Sequence, residues 1–142
     1  MMHKMTDEQW RTFVMHGTRT GKLSTVRADG SPHLAPIWFL LDGDDLVFTT
    51  EEHSVKGRNL VRDGRFVLCV DEDVAPYAFT LLHGRAEISE DPEETLRWGG
   101  LLGARYMGAD RTNEYADRNG SPGNLLVRGR IDKVIAFDGI AD

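Results

Sequence analysis

The 142-residue chain has one cysteine and fewer basic than acidic residues. The single cysteine, Cys69, excludes an internal disulfide and is typical of a reducing compartment. Seventeen Lys and Arg against 23 Asp and Glu give a net charge of −6, which argues against a general nucleic-acid or anionic-membrane surface. No apolar run is long enough to span a bilayer, and the N-terminus has no signal-peptide pattern. We expect a single cytoplasmic domain over residues 1–142 that acts on small molecules.

The chain also has few of the motifs that carry chemistry. Its five histidines match no metal-ligand spacing, and no HExxH string or cysteine pair accompanies them, so we expect no metal site. A G-x-S-x-G nucleophile motif and a G-x-G-x-x-G dinucleotide motif are both missing. The chain is therefore either not an enzyme or one whose chemistry is supplied by a cofactor.

A short basic segment, Thr49–Arg65, is the most informative stretch that is present. Two threonines end a strand-like run, and Ser54 and Lys56 open a short helix. Unpaired amides at a helix start, a hydroxyl and an ammonium can converge on a phosphate. An ordinary N-cap followed by a solvated lysine is the alternative. The second half of the segment is locally positive in an acidic chain, because it has four basic residues and only one acidic residue, Asp63. The basic residues are Lys56, Arg58, Arg62 and Arg65.

The first half of the chain predicts one helix and three strands. Thr6 is a capping residue for a helix that places Trp10, Phe13 and Val14 on one face. Residues 21–50 then predict three strands joined by turns at 29–31 and 42–45.

The middle strand of these three has apolar side chains on both faces, which indicates burial on both sides. Its prolines cannot donate to a ladder, so an edge strand is equally compatible with the pattern. We expect an irregular patch near Pro36–Trp38 with backbone groups left free.

The second half predicts two further strands, a helix and a final strand pair. Gly84 marks a bulge in the strand over 76–88, and Asp91 with Pro92 begins a helix that is poorly specified beyond Trp98. Residues 109–124 predict an exposed connection with at most one helical turn, and residues 124–139 a strand pair with a kink at Gly129. The order of elements indicates an α+β or barrel-like sheet closed by helices.

Three stretches then resemble a known family: TRTGKLSTVRADGSPHLAPIWFLL, LVFTTEEHSVKGRNLVRDGRFVLCV and YAFTLLHGRAEI. They resemble the flavin and deazaflavin oxidoreductases of the split β-barrel superfamily, which are related to pyridoxamine phosphate oxidase. Within that superfamily they look most like actinobacterial enzymes that use the deazaflavin coenzyme F420. The resemblance covers residues 6–108.

This resemblance implies a mainly β split barrel with flanking helices, and a homodimer with cofactor sites at the subunit interface. The cofactor phosphate would lie at the start of the short helix, its sugar-like chain beside the two threonines, and its ring along the middle strand. One tyrosine would approach from the partner subunit. The implied cofactor-binding residues are His33, Pro36, Ile37, Thr49, Thr50, Ser54, Val55, Lys56, Asn59 and Tyr77.

The implied reaction is hydride transfer from reduced F420 to an activated double bond of a small organic substrate. Placement would matter more than proton chemistry, so no catalytic residue is assigned, although His33, His53 or Tyr106 could protonate the product. The arginine and lysine that pyridoxamine phosphate oxidases carry before the Ser-x-Lys segment are missing from HLAPIWFLL. An FMN-binding protein of the same fold, and a non-catalytic coenzyme or haem binding module, are the alternatives.

Overall fold

The computed structural model describes residues 1–142 as eight antiparallel strands and four helices. The strands are β1 (His3–Lys4), β2 (Gly21–Val26), β3 (Pro32–Ile37), β4 (Leu40–Asp42), β5 (Asp45–Glu51), β6 (Arg65–Glu72), β7 (Ala78–Ser89) and β8 (Asn124–Asp138). The helices are α1 (Asp7–Met15), α2 (Val55–Arg62), α3 (Pro92–Met107) and α4 (Thr112–Gly120), with a 3₁₀ turn at Ala109–Arg111. No helix is both long and apolar enough to cross a membrane.

The two edge strands of the sheet, β3 and β4, are consecutive in the chain and only two residues apart. The sheet therefore curls round until its edges meet, which forms a split barrel. The strand order is β3-β2-β6-β7-β8-β5-β4, with β1 added to β8. The middle strand predicted from the sequence is thus two strands, β3 and β4, separated at Trp38 and Phe39. This break confirms the expected irregular patch. Burial on both faces was wrong: β3 is an edge strand, and Leu34 on it is 67% exposed.

The barrel interior holds a core of 16 buried residues, drawn mainly from alternate positions of the strands. Helix α1 contributes Trp10 and Val14 to this core. Its start is fixed by a capping box, in which the Gln9 amide donates to Thr6 Oγ1 (3.2 Å) and the Thr6 amide donates to Gln9 Oε1 (2.9 Å). The predicted first helix and its buried face are confirmed.

The final strand pair predicted from the sequence is one continuous strand. Strand β8 pairs with β5 along one edge and with β7 along the other. Gly129 lies in the middle of this strand. A Cβ at this position would be 2.6 Å from the Phe66 ring, so glycine allows the strand to continue past the ring. The predicted bulge at Gly84 is confirmed by a register shift between His83 and Gly84.

The region after Trp98 differs most from its prediction. Helix α3 continues to Met107, and the expected exposed connection contains α4, a helix of nine residues. Glycines on α3 face α4 closely enough that a Cβ on Gly103 would overlap the Cβ of Tyr115. Small residues at a helix interface allow this close approach, whereas in isolation they count as helix breakers. The two helices form a hairpin packed against β5 and β8.

Candidate functional site

A cavity of about 190 Å³ lies where the split in the barrel meets α2 and the α3–α4 hairpin. Larger grooves exist elsewhere. The largest, about 630 Å³, lies between α1 and β8, but its Arg11 is already paired with Asp7 and Asp44. The smaller cavity is the one that meets the basic segment singled out from the sequence. Its lining residues are Pro36, Ile37, Trp38, Thr49, Lys56, Leu102 and Asn119.

The turn into α2 is shaped by the Ser54 hydroxyl. Ser54 Oγ donates to the Glu51 carbonyl (2.8 Å) and accepts from the Gly57 amide (3.0 Å). Thr50 Oγ1 lies 3.0 Å from the same oxygen. Since the single Ser54 proton goes to Glu51, the Thr50 hydroxyl is the donor in that contact. Both hydroxyls are therefore occupied in holding the turn that presents the helix start.

The start of α2 leaves donors available beside the cavity. The amides of Val55 and Lys56 form no hydrogen bond within the chain, as expected for the first two residues of a helix. The Lys56 ammonium also forms no ion pair or hydrogen bond, although the side chain is half-buried. Thr49, across the cavity, has a hydroxyl without a partner in the chain. These groups fit an anionic ligand held by helix-terminal amides and one cation.

The other basic residues of the segment are mostly engaged elsewhere. Arg62 donates to the Val26 carbonyl (2.6 Å) and to Asn59 Oδ1 (2.9 Å), and Arg65 pairs with Asp63 at 2.7 Å. Only Lys56 among them lines the cavity. Of the four basic residues that make this segment positive, one lysine therefore contributes its charge to the cavity.

Asn59 connects α2 to the barrel. Its side chain is 3% exposed, and its Nδ2 donates to Thr25 Oγ1 at 3.0 Å. Its carbonyl oxygen accepts the Arg62 bond, so both ends of the amide have partners inside the chain. The structure places this predicted site residue behind the cavity wall, where it fixes the position of α2.

The strand break beside the cavity is held by two residues of α3. Tyr106 accepts a hydrogen bond from the Phe39 amide (3.2 Å) and donates to the Arg19 carbonyl (2.8 Å). Arg105 donates to the Phe39 carbonyl (2.6 Å). The Trp38 amide and carbonyl form no hydrogen bond in the chain, so these backbone groups at the cavity are free, as expected from the sequence.

Trp38 also provides the aromatic wall of the cavity. Its ring is stacked on that of Tyr106, with centroids 5.0 Å apart and planes 6° apart. Burial raises the pKa of the Tyr106 phenol, and its hydroxyl already donates to Arg19. Tyr106 therefore packs and positions the strand break, and its proton is not free for a substrate.

The two histidines considered as proton donors differ in their surroundings. His33 on β3 has a buried Nδ1 without a partner. Its pKa is lowered by burial and then by the charges of Arg27 and Lys56, which keeps the imidazole neutral at pH 7. His53 is exposed, with Nε2 3.3 Å from a carboxylate oxygen of Glu52. Neither lines the cavity.

Tyr77 is not one of the lining residues and lies in the loop between β6 and β7. It is 46% exposed and has a positive φ of 69°. Its expected approach to the cofactor of a partner subunit stays a prediction.

Three lining residues were missed by sequence reasoning: Trp38, Leu102 and Asn119. The first is next to the predicted ring-binding residues on β3. The other two lie on α3 and α4, where glycines suggested irregular chain. The spacing of Gly99, Gly100 and Gly103 would have indicated a close helix pair, because positions three and four apart share one helix face.

Comparisons with known proteins agree with this architecture. A family model described as pyridoxamine 5'-phosphate oxidase matches residues 6–137. No curated protein matches the chain significantly. Among solved structures, the conserved hypothetical protein Rv2991 from Mycobacterium tuberculosis is 29% identical with a TM-score of 0.84, covering 95% of this chain and 86% of that one.

Two further structures are informative. The structure of an F420 reductase is 26% identical, with a TM-score of 0.72 over 87% of this chain and 94% of that one. A haem binding protein from Mycobacterium smegmatis is 22% identical, with a TM-score of 0.66 over 92% of this chain and 57% of that one, which shows the fold alone. The match over 6–137, together with the split barrel, shows that the chain belongs to the pyridoxamine 5'-phosphate oxidase family.

Proposed function

We propose that the protein is an F420-dependent oxidoreductase that reduces an activated double bond of a small organic substrate. The observation that carries the proposal is the unpaired Lys56 ammonium beside two free helix-terminal amides, at a cavity bordered by the open strand edge. The similarity to an F420 reductase over 87% of the chain supports the choice of coenzyme.

The residues present fit such a cofactor. Lys56 and the amides of Val55 and Lys56 would hold the phosphate, and Thr49 would border the sugar-like chain. The ring would lie along Pro36 and Ile37, next to the free backbone groups of Trp38. Ser54 and Thr50 contribute through the turn they stabilise, and Asn59 through the position of α2.

At the phosphate position, the charge of the cavity favours the phosphodiester of F420 over the phosphate monoester of FMN. A phosphate monoester such as FMN carries roughly −1.5 to −2 charges at pH 7. The phosphodiester of F420 carries a single negative charge, which the one lysine in the lining can neutralise. The family's additional arginine and lysine are missing from the β3–β4 stretch, as noted above.

When bound, the reduced deazaflavin supplies the hydride, and the protein supplies binding, orientation and exclusion of water. Trp38 and Leu102 provide apolar surface against which a flat substrate or ring can pack. No residue is assigned as the proton donor to the product: His33 lies outside the lining, and its lowered pKa leaves a neutral imidazole that is a poor acid. Tyr106 is committed to the backbone, and His53 lies outside the lining.

A titration with F420 and with FMN tests the choice of cofactor. We expect the purified protein to carry no flavin and to change the fluorescence of added F420 on binding. Retention of stoichiometric FMN, with no response to F420, would replace this proposal with an FMN-binding protein of the same fold.

We also propose that the protein forms a homodimer through the outer face of its sheet. Cys69, Leu81 and Ile135 are aligned side by side on β6, β7 and β8, on the face opposite the core, and remain only half-buried. A second copy packed on this row would remove from water the apolar surface that the single chain leaves partly exposed. In light scattering we expect twice the chain mass for the wild type and the monomer mass for Leu81→Glu. A monomeric wild type would exclude this interface.

A further inference from the structure

Asn119 is a polar lining residue of the cavity that the fold holds in one orientation. It lies near the end of α4, and its Nδ2 donates to the Gly99 carbonyl of α3 at 3.2 Å. A Cβ on Gly99 would lie 2.9 Å from the Gly120 amide, so α3 and α4 are in close contact at this point. The amide nitrogen is bound to α3, and Oδ1 of this half-buried side chain forms no hydrogen bond within the chain.

The polar groups around the cavity have different hydrogen-bonding characters. Lys56 is a cationic donor, Thr49 has a hydroxyl that can donate or accept, and Asn119 Oδ1 only accepts. No carboxylate lines the cavity. A ligand that satisfies all three carries an anionic oxygen for Lys56 and, close to it, a hydroxyl or N–H donor for Asn119. In flavins and deazaflavins, the polyol chain next to the phosphate has hydroxyl donors of this kind.

We infer that Asn119 Oδ1 accepts a hydrogen bond from a hydroxyl of the cofactor's polyol chain, which makes α4 part of the binding site. This inference rests on the proposed function only in requiring a ligand with such a chain, and it applies equally to F420 and FMN. Asn119 and Lys56 then recognise separate parts of the ligand. The lysine binds the phosphate, and the asparagine binds the chain between the phosphate and the ring.

The test uses four probes that differ in the parts recognised: F420, FMN, riboflavin, which has the chain but no phosphate, and lumiflavin, which has the ring alone. Asn119→Leu should weaken binding of the first three by about five- to tenfold, the loss of one hydrogen bond, and leave lumiflavin unchanged. Lys56→Ala should weaken binding of F420 and FMN and leave riboflavin unchanged.

Two further variants serve as controls. Asn113→Leu makes the same substitution at an exposed position of the same helix and should leave binding of all four probes unchanged. Asn119→Asp keeps an acceptor oxygen but loses the donor that holds the side chain against Gly99, so its riboflavin binding should lie between that of Asn119→Leu and that of the wild type. Lumiflavin binding reports whether the cavity itself is intact in each variant.

The outcomes separate this inference from the proposed function. If Asn119→Leu binds riboflavin as Asn113→Leu does, or loses lumiflavin to the same extent, the role assigned to Asn119 is wrong even if F420 is turned over. If the riboflavin-specific loss is found in a protein that fails to oxidise reduced F420, the role of Asn119 stands and the proposed function fails. A wild type that binds none of the probes contradicts both.

Discussion

The two helical parts of the cavity wall, α2 and the α3–α4 hairpin, differ in what specifies them. Helix α2 is set by a local pattern: Ser54 caps it, and Gly57 fits a turn in which a Cβ would overlap the Glu51 carbonyl. The hairpin is set by contacts between residues about 12 to 21 positions apart, such as Gly103 with Tyr115 and Gly99 with Gly120. The first region contributes the charge of the site, and the second contributes its apolar surface and a fixed acceptor.

Under the proposed function, this difference means that cofactor anchoring and pocket shape are encoded separately in the chain. The anchor depends on a few adjacent residues, and the shape depends on how closely two helices pack. Substitutions in the two regions should therefore have different effects, mainly on affinity in α2 and mainly on stability in the hairpin.

Lys56→Ala should have the largest effect on affinity, because the lysine is the only cation in the cavity lining. Losing a charge-assisted hydrogen bond should weaken F420 binding by about 1.5–3 kcal/mol, roughly ten- to a hundredfold in Kd. Arg58→Ala is the matched control, since Arg58 is exposed on the same helix and does not line the cavity. Equal dissociation constants for the two variants at matched salt would contradict the phosphate assignment.

Gly103→Ala should have the largest effect on stability. The new methyl group would overlap the Cβ of Tyr115, and such overpacking typically costs about 1–3 kcal/mol, more than the roughly 1 kcal/mol that alanine gains in helix propensity. Urea unfolding measures the net loss of unfolding free energy. A variant as stable as the wild type would show that the hairpin packs more loosely than described.

Ser54→Ala tests both effects at one residue, because Ser54 caps α2 and also holds the helix start at which the phosphate is proposed to bind. Losing the cap should lower the unfolding free energy by about 1 kcal/mol and weaken F420 binding, since the free amides are no longer held in place. Thr6→Ala removes the cap of α1 and should cost similar stability without changing affinity. If both variants bind the coenzyme as the wild type does, the turn before α2 has no part in binding.

The smallest expected effect is on the titration of His33. Burial, Arg27 and Lys56 lower its pKa below the ordinary value of 6.5 in the folded state, so the unfolded chain binds more protons near and below pH 6.5. Its contribution to stability is therefore complete above that pH and decreases as the pH falls. By NMR, the His33 midpoint should lie below 6.5 and move upward in Lys56→Ala but less in Arg58→Ala. A midpoint that is the same in both variants would place Lys56 away from the strand edge.

The sequence predicted those parts of the fold whose determinants are local. Capping residues located the starts of α1, α2 and α3, and the prolines of the middle strand located the break at Trp38. The cavity residues on β3, β5 and α2 were named because they lie within the family's motif. These patterns can be recognised from a few neighbouring residues.

The rest depended on contacts that a linear pattern does not show. In a linear sequence, glycines that pack against Tyr115 look the same as glycines that end a helix, so the sequence leaves α3 unspecified beyond Trp98 and predicts α4 as an exposed connection with at most one helical turn. Asn119 enters the site only because that hairpin forms. Similarly, Asn59 was predicted as a cofactor-binding residue because it lies close to Lys56 in the family's motif. Its hydrogen-bond partner, Thr25, is 34 residues away, and a local pattern does not show that contact.

Single-turnover oxidation of reduced F420 tests the central claim most directly. The protein is mixed with reduced coenzyme and a panel of enones and quinones, and the return of oxidised F420 is followed by absorbance and fluorescence. The account predicts acceptor-dependent oxidation by the wild type and, below saturation, a slower reaction with Lys56→Ala than with Arg58→Ala. Tight coenzyme binding without oxidation by any acceptor would contradict it and indicate a coenzyme-binding module without turnover.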